Sequence, residues 1–262
     1  FYKCSTLKEI TLPFSINSIG PNAFESCSSL EEITIETNTE ETLTAISFND
    51  KQVVSEIGEN AFNGCSLIKR ISIPKTVTMI GESAFMNCKS INKMIIPSSV
   101  ASIGNCVFKG CSSLKEISIP HTVTSFGNNI FRGIKSLHIS GDLSEIPKKL
   151  FSNCRLLRRV KIPSSVTKIG DLVFKGCSAL EAIVIPSSVT SIGNSVFKDC
   201  SKLTQISIPS SVTYFGNNIF RGISSLTIYG DIKAIPNDLF KECTSLKEVN
   251  IPSSVSSIGY HA

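Results

Sequence analysis

Three kinds of side chain in this 262-residue sequence could do chemistry: ten cysteines, three histidines, and charged residues that recur at fixed spacing. The cysteines come first, because thiolates bind zinc and attack electrophiles. A zinc site of the usual kind needs two C-x-x-C pairs or an equivalent cluster, and no C-x-x-C occurs. Nine of the ten keep one phase of a repeat instead: Cys4 to Cys27, Cys65 to Cys88, Cys88 to Cys111, Cys154 to Cys177 and Cys177 to Cys200 are all 23 residues apart. Only Cys106 stands out of phase. The carboxylates come next. A polysaccharide hydrolase built on stacked coils would present two or three of them on one face. Glu9 and Glu32 are one repeat apart, but they alternate with Lys8 and Glu31 as a solvated face does. The histidines His121, His138 and His261 fall in three different columns of the repeat. There is no G-x-S-x-G and no phosphate-binding glycine loop. These residues assemble no nucleophile–base constellation. The expectation is a chain with no catalytic residue, no bound metal and no cofactor.

Composition narrows the rest. Hydrophobic residues make up 41% and charged residues 18%, which suits a packed interior rather than disorder. A net charge of +5 is modest: it permits an anionic partner without demanding one, since nucleic-acid binders usually concentrate their charge on one face. No run of about 18 apolar residues could span a bilayer. The expected partners exclude nucleic acid, and no membrane insertion is expected of this sequence.

The spacing of the cysteines belongs to a longer pattern. "VFKGCS" is written at residues 107–112 and again at 173–178, and "FGNNIFRGI" at 126–134 and 215–223. Aligned on cysteine, the unit reads C-S-x-L-x-x-I-x-I-P-S-S-V-T-x-I-G-x-x-x-F-x-x, 23 residues long. Two copies of 20 residues lack the cysteine and carry "GDLSEIP" or "GDIKAIP" in place of the P-S-S-V linker. They lie 89 residues apart, as do Cys65, Cys154 and Cys243, so a four-unit block has been duplicated. A unit this small cannot bury its own apolar face. It has to be covered by copies of itself.

Each unit implies its elements. L-x-x-I-x-I alternates apolar and polar with β-branched residues, which predicts a short strand with one face inward. Proline ends it, because it cannot donate into a ladder. The V-T-x-I segment alternates too and can form a second short strand. The G-x-x-A-F segment predicts a turn, with at most one turn of helix. Stacked copies turn identical columns into ladders. Phenylalanine from Phe1 to Phe240 forms one of them. The in-phase cysteines form another, predicted to be reduced packing material, because free cysteine behaves as a small buried hydrophobe. Cys106, out of phase, is the predicted exposed thiol. Residues 36–53 interrupt the second repeat, and the alternation of 43–48 and 52–55 around Asn49–Asp50–Lys51 predicts a β-hairpin.

The combination of I-P, S-I-G and A-F-x-x-C at fixed offsets resembles the BspA-like class of leucine-rich repeats, a type known from bacterial and protist surface antigens. The resemblance covers the chain apart from the 36–53 insertion. It departs from the family pattern in the two 20-residue copies. It implies an α/β leucine-rich-repeat solenoid dominated by β structure: right-handed, with one parallel strand per repeat, about 11 strands and little helix. The expected organisation is one solenoid over residues 1–262, a piece of a longer array. The family also implies a secreted or cell-surface protein that mediates adhesion to host or microbial macromolecules. The alternatives are an intracellular scaffold on the same repeat and, less well supported, a β-helix enzyme acting on polysaccharide.

In such a solenoid the core columns are held constant by packing, so recognition falls to the outward strand positions. The column between the two isoleucines is usually Ser or Thr. It departs from them in a local cluster at Ile95, His138, Lys161 and Val184, and the column two residues earlier carries Arg70, Lys93 and Arg159. These seven residues are the candidate ligand-binding positions, on the face predicted to be concave. Centred on Lys93–Lys161, with the cluster from Ile95 to Val184 tiling about 20 Å at the strand spacing, they would suit a protein or glycan.

Overall fold

The computed structural model describes residues 1–13, 18–35, 55–73 and 75–262. They divide into two compact units, Phe1–Ile134 and Lys135–Ala262. The predicted insertion hairpin lies outside the described residues.

Within each unit the chain winds in coils that repeat one another, and every coil opens with the L-x-x-I-x-I segment. In the first unit it forms the strands Glu9–Leu12, Glu32–Ile35, Lys93–Ile95 and Glu116–Ser118. In the second it forms Ser136–Ser140, Arg159–Lys161, Ala182–Val184, Gln205–Ser207, Ser225–Tyr229 and Glu248–Asn250. Neighbours pair in parallel, column on column: Met94 lies beside Ile117, Val160 beside Leu137, and Ile206 beside Ile228. The apolar side chains at the even positions turn inward, as Met94, Ile117 and Ile206 do, and their neighbours face water.

After the proline, the V-T-x-I segment makes the second, two-residue strand, as its alternation suggested. Glu56–Ile57, Met79–Ile80, Ser102–Ile103 and Ser125–Phe126 pair in that order in the first unit. Glu145–Ile146, Lys168–Ile169, Ser191–Ile192 and Tyr214–Phe215 do so in the second. The P-S-S-V linker has a specific bonding role. The hydroxyls of Ser165, Ser188 and Ser211 donate to the carbonyls of Leu143, Val166 and Val189 one coil back, at 2.9, 2.6 and 2.8 Å.

The third side of each coil contains no helix among the described residues. It runs as successive i→i+3 turns, for example Ala61 N–H to Gly58 O at 3.3 Å and Cys65 N–H to Phe62 O at 3.1 Å. The reason is local. The residues two before and two after the phenylalanine both take left-handed backbone: Asn60 at φ 52° and Gly64 at 80° around Phe62, Asn153 and Lys149 at 60° and 65° around Phe151. A right-handed helix cannot pass through either position. The turns still pair between coils, with Phe62 N–H on Ala84 O at 2.8 Å. The turn side of a coil is therefore hydrogen-bonded to its neighbour, as paired strands are.

Close stacking has a steric condition at the glycine that follows the short strand. A Cβ on Gly104 would fall 2.7 Å from the backbone nitrogen of Glu82 in the preceding coil. Inside, the phenylalanine column becomes a stack. In the first unit Phe24, Phe62, Phe85 and Phe108 follow one another at centroid distances of 5.6, 5.4 and 5.8 Å, within 5° of parallel. Phe151, Phe174, Phe197 and Phe220 stack likewise in the second, at 5.3, 5.6 and 5.9 Å and within 8° of parallel.

Candidate binding surface on the long-strand face

The thiols occupy the core. Cys27, Cys65, Cys88, Cys111, Cys154, Cys177 and Cys200 are buried, and none of the ten cysteines is in a disulfide. Each Sγ that follows a full-length coil has a use there. Cys65 donates to Phe24 O at 3.0 Å, Cys88 to Phe62 O, and Cys111 to Phe85 O, both at 3.1 Å. Loss of hydration on burial pushes the Cys65, Cys111 and Cys177 thiols up to about 12. Burial likewise holds Cys88 and Cys200 well above the ordinary thiol value. These groups stay protonated and unreactive at neutral pH. The expected single accessible thiol needs correction. Cys106 is half-buried, Cys243 is half-buried as well, and Cys4 is exposed although both keep the core phase.

The described residues contain no group of three or more His, Cys, Asp and Glu side chains placed to hold a metal ion. Glu9 and Glu32 are register partners on the paired strands of the first unit. No helix among the described residues is long and apolar enough to cross a membrane.

Six of the seven predicted positions lie on the long strands, and Arg70 directly precedes the isolated bridge at Ile71. In the first unit Lys93 reaches across to its register partner Glu116 and forms an exposed ion pair at 3.1 Å. Arg70 has no ion pair among the described residues, and Ile95 stands 58% exposed. In the second unit Lys161 is the register partner of His138, and Arg159 that of Ser136. Val184 is 67% exposed.

Sequence reasoning missed an opening in the ladder beside these residues. Residues 70–73 form only an isolated bridge at Ile71, and the strand Lys93–Ile95 pairs with Glu116–Ser118 alone. A cleft of about 590 Å³ lies there, with Arg70, Ser72, Lys93 and Ile95 on its rim and Ile71 and Ile73 on its floor. In the second unit Arg159–Lys161 pairs with Ser136–Ser140, and Ala182–Val184 pairs with Gln205–Ser207. Between these two consecutive coils one long bond survives, Glu181 N–H to Arg158 O at 3.3 Å, and the strands then part. A cleft of about 610 Å³ opens at that place, edged by Arg159, Lys161 and Val184 over Val160 and Ile162. The parting bares the core slightly: Ile71 and Val160 are 7% and 9% exposed, whereas Ile117 and Ile206 in the same column are sealed at 0%.

The whole architecture, strand–proline–short strand–glycine–phenylalanine–cysteine, matches the family described as a BspA type leucine rich repeat region, in six copies over residues 1–53, 38–158 and 144–262. The chain is a BspA-type leucine-rich repeat protein. Among solved structures it resembles a leucine-rich repeat protein from Bacteroides ovatus, with 32% identity and a TM-score of 0.63, over 100% of this chain. It spans 65% of the length of that protein. A leucine-rich cell surface protein from Faecalibacterium prausnitzii aligns with 94% of this chain and 79% of its own, at 24% identity and a TM-score of 0.42. No functionally curated protein is significantly similar in sequence. Leucine-rich repeats of this family commonly serve as protein-interaction modules.

Proposed function

We propose that this BspA-type chain is a non-enzymatic binding module, displayed at a cell surface, that meets a protein partner on the outward face of its long strands. One observation carries the reading: the inward columns are held by packing, while the outward long-strand columns vary and are the place where the coils part into clefts. Parted coils offer a partner both cations and uncovered aliphatic surface, which a flat, fully laddered sheet does not. The aliphatic rim residues Ile95 and Val184 favour a protein over a glycan, because sugar hydroxyls gain nothing from such a wall. The resemblance to surface antigens supports display outside the cell and a part in adhesion.

The test uses fluorescently labelled chain and cultured epithelial monolayers. Arg159→Glu combined with Lys161→Glu should reduce the bound fraction at least about tenfold, the size of a lost charged contact. A double charge reversal at Lys109 and Lys175, on the turn side, should leave it unchanged. Binding by the parent chain should fall as salt rises, since exposed charges are screened over about 10 Å at 0.1 M. If the turn-side pair abolishes adhesion and the strand-side pair leaves it intact, the surface has been placed on the wrong side.

A further inference from the structure

The two clefts are not independent features. Arg70 and Arg159 are 89 residues apart, as are Ile71 and Val160, Ile73 and Ile162, and Ile95 and Val184. That is the length of the duplicated block, so one cleft is the counterpart of the other, one in each unit. Other coil pairs copied by the same duplication kept their ladder: Lys93–Ile95 pairs with Glu116–Ser118 just as its counterpart Ala182–Val184 pairs with Gln205–Ser207. Where the ladder is open, the two copies also share a chemistry. An arginine with no ion pair among the described residues stands on one lip, a β-branched aliphatic residue stands exposed on the other, and two core residues make the floor. Among the described residues no carboxylate lines either cleft. The copies differ where the common chemistry does not need them alike. Lys93, tied to Glu116, is replaced by Ala182, and Ser72 by Lys161.

We propose that each unit carries one copy of the same subsite, which takes an aliphatic side chain of an acidic protein segment into the gap between coils and pairs a neighbouring carboxylate with Arg70 or Arg159. The proposal rests on the long-strand face being the binding surface and adds what that surface selects. The occupant follows from the complementarity of the cleft. The floor and the Ile95 or Val184 wall reward the burial of an apolar group. An unpaired guanidinium at the lip offers a carboxylate two parallel hydrogen bonds. A basic segment would meet only cations there. A whole strand cannot enter the second-unit cleft, since Arg159–Lys161 and Ala182–Val184 still lie side by side with Cα atoms within 8 Å, and an inserted strand needs about 4.8 Å on either side. The gap therefore admits a side chain and leaves the segment's backbone outside.

The probe is the tripeptide N-acetyl-Glu-Leu-Glu-amide, titrated into the whole chain and followed by backbone amide shifts. Saturable shifts are expected at two sets of amides, one around Ile71 and Ile95 and one around Val160 and Val184. Val184→Asp should remove the second set and leave the first, and Ile95→Asp should do the reverse. Both positions are exposed, so the variants should fold, and unchanged shifts elsewhere in the spectrum check that they do. Arg159→Gln should weaken the second site by about tenfold, the usual cost of one charge-assisted pair. Shifts at only one cleft, or at neither, overturn the proposal, as does equal binding of the Lys-Leu-Lys or Glu-Ser-Glu counterpart. Loss of adhesion in the Arg159→Glu, Lys161→Glu chain, alongside a tripeptide that does not bind, would retain the binding face and reject this subsite. Retained adhesion with a bound tripeptide would do the opposite.

Discussion

The Cys88 thiol donates to the carbonyl oxygen of Phe62, 3.1 Å away in the preceding coil. The same oxygen also accepts the Cys65 amide at 3.1 Å. One carbonyl thus closes a turn in its own coil and holds the next coil to it. This explains why a small residue with a weak donor recurs in the core where alanine would fit. Cys88→Ala should lose the bond and leave a small void. The expected destabilisation is about 1–2 kcal/mol, read as a lower urea midpoint at an unchanged m-value.

Alkali should weaken the fold through these same thiols. Their folded values are raised, to about 12 for Cys65, Cys111 and Cys177, so the native state favours the protonated thiol. The contribution is fully present below the unfolded thiol value near 9 and is lost as pH climbs from there towards about 12. Each such thiol lowers stability by at most about 1.4 kcal/mol per pH unit over that range. Urea midpoints at pH 8 and pH 10 check this. A Cys111→Ala, Cys177→Ala chain should show a shallower alkaline loss than the parent.

Thiol labelling of the native chain should be graded. Cys4 should react first, Cys106 and Cys243 more slowly, and the seven buried cysteines only after denaturant is added. Peptide mapping after a short pulse of iodoacetamide reads the order. Modification of Cys88 ahead of Cys4 would contradict the packing described above.

Phe108 lies between Phe85 and Phe131, 5.8 and 6.0 Å away, and is fully buried. Phe108→Ala should cost about 3–5 kcal/mol, the usual range for removing a core aromatic side chain. Phe1 is mostly exposed at one end of the same stack, so Phe1→Ala should cost far less. Thermal melts of the two variants give the contrast.

Gly104→Ala adds one methyl group, yet should destabilise strongly. Its Cβ would meet the Glu82 backbone nitrogen at 2.7 Å, and backbone held by ladders on both sides cannot retreat. Gly20 has no atom of the described residues within 4 Å of the same position, so Gly20→Ala should be nearly neutral in this chain. Melting temperatures of the pair test whether close approach, and not turn flexibility, is what keeps glycine in that column.

Much of this molecule could be read from its sequence because its packing is periodic. Every buried column is written about ten times over. The inward isoleucines, the phenylalanine stack, the proline stop and the short V-T-x-I strand all showed in the alignment of the copies. The outward positions Arg70, Ile95, Arg159 and Val184 could be picked out for the same reason, by their departure from the common residue type. Three outcomes depended on the fold. The turn after glycine is not helical, because positions such as Asn60 and Lys149 take left-handed backbone that their residue types permit but do not announce. Cys4 is exposed and Cys243 half-buried despite their phase, because burial follows the packing around each coil and not the residue type. The partings beside Ile71 and Val160 are a relation between two coils, set by whether their backbone groups reach each other. Residue type fixes which way a side chain faces through local alternation. Pairing between strands 23 residues apart in sequence is a long-range contact, and only the assembled stack decides where it holds and where it opens.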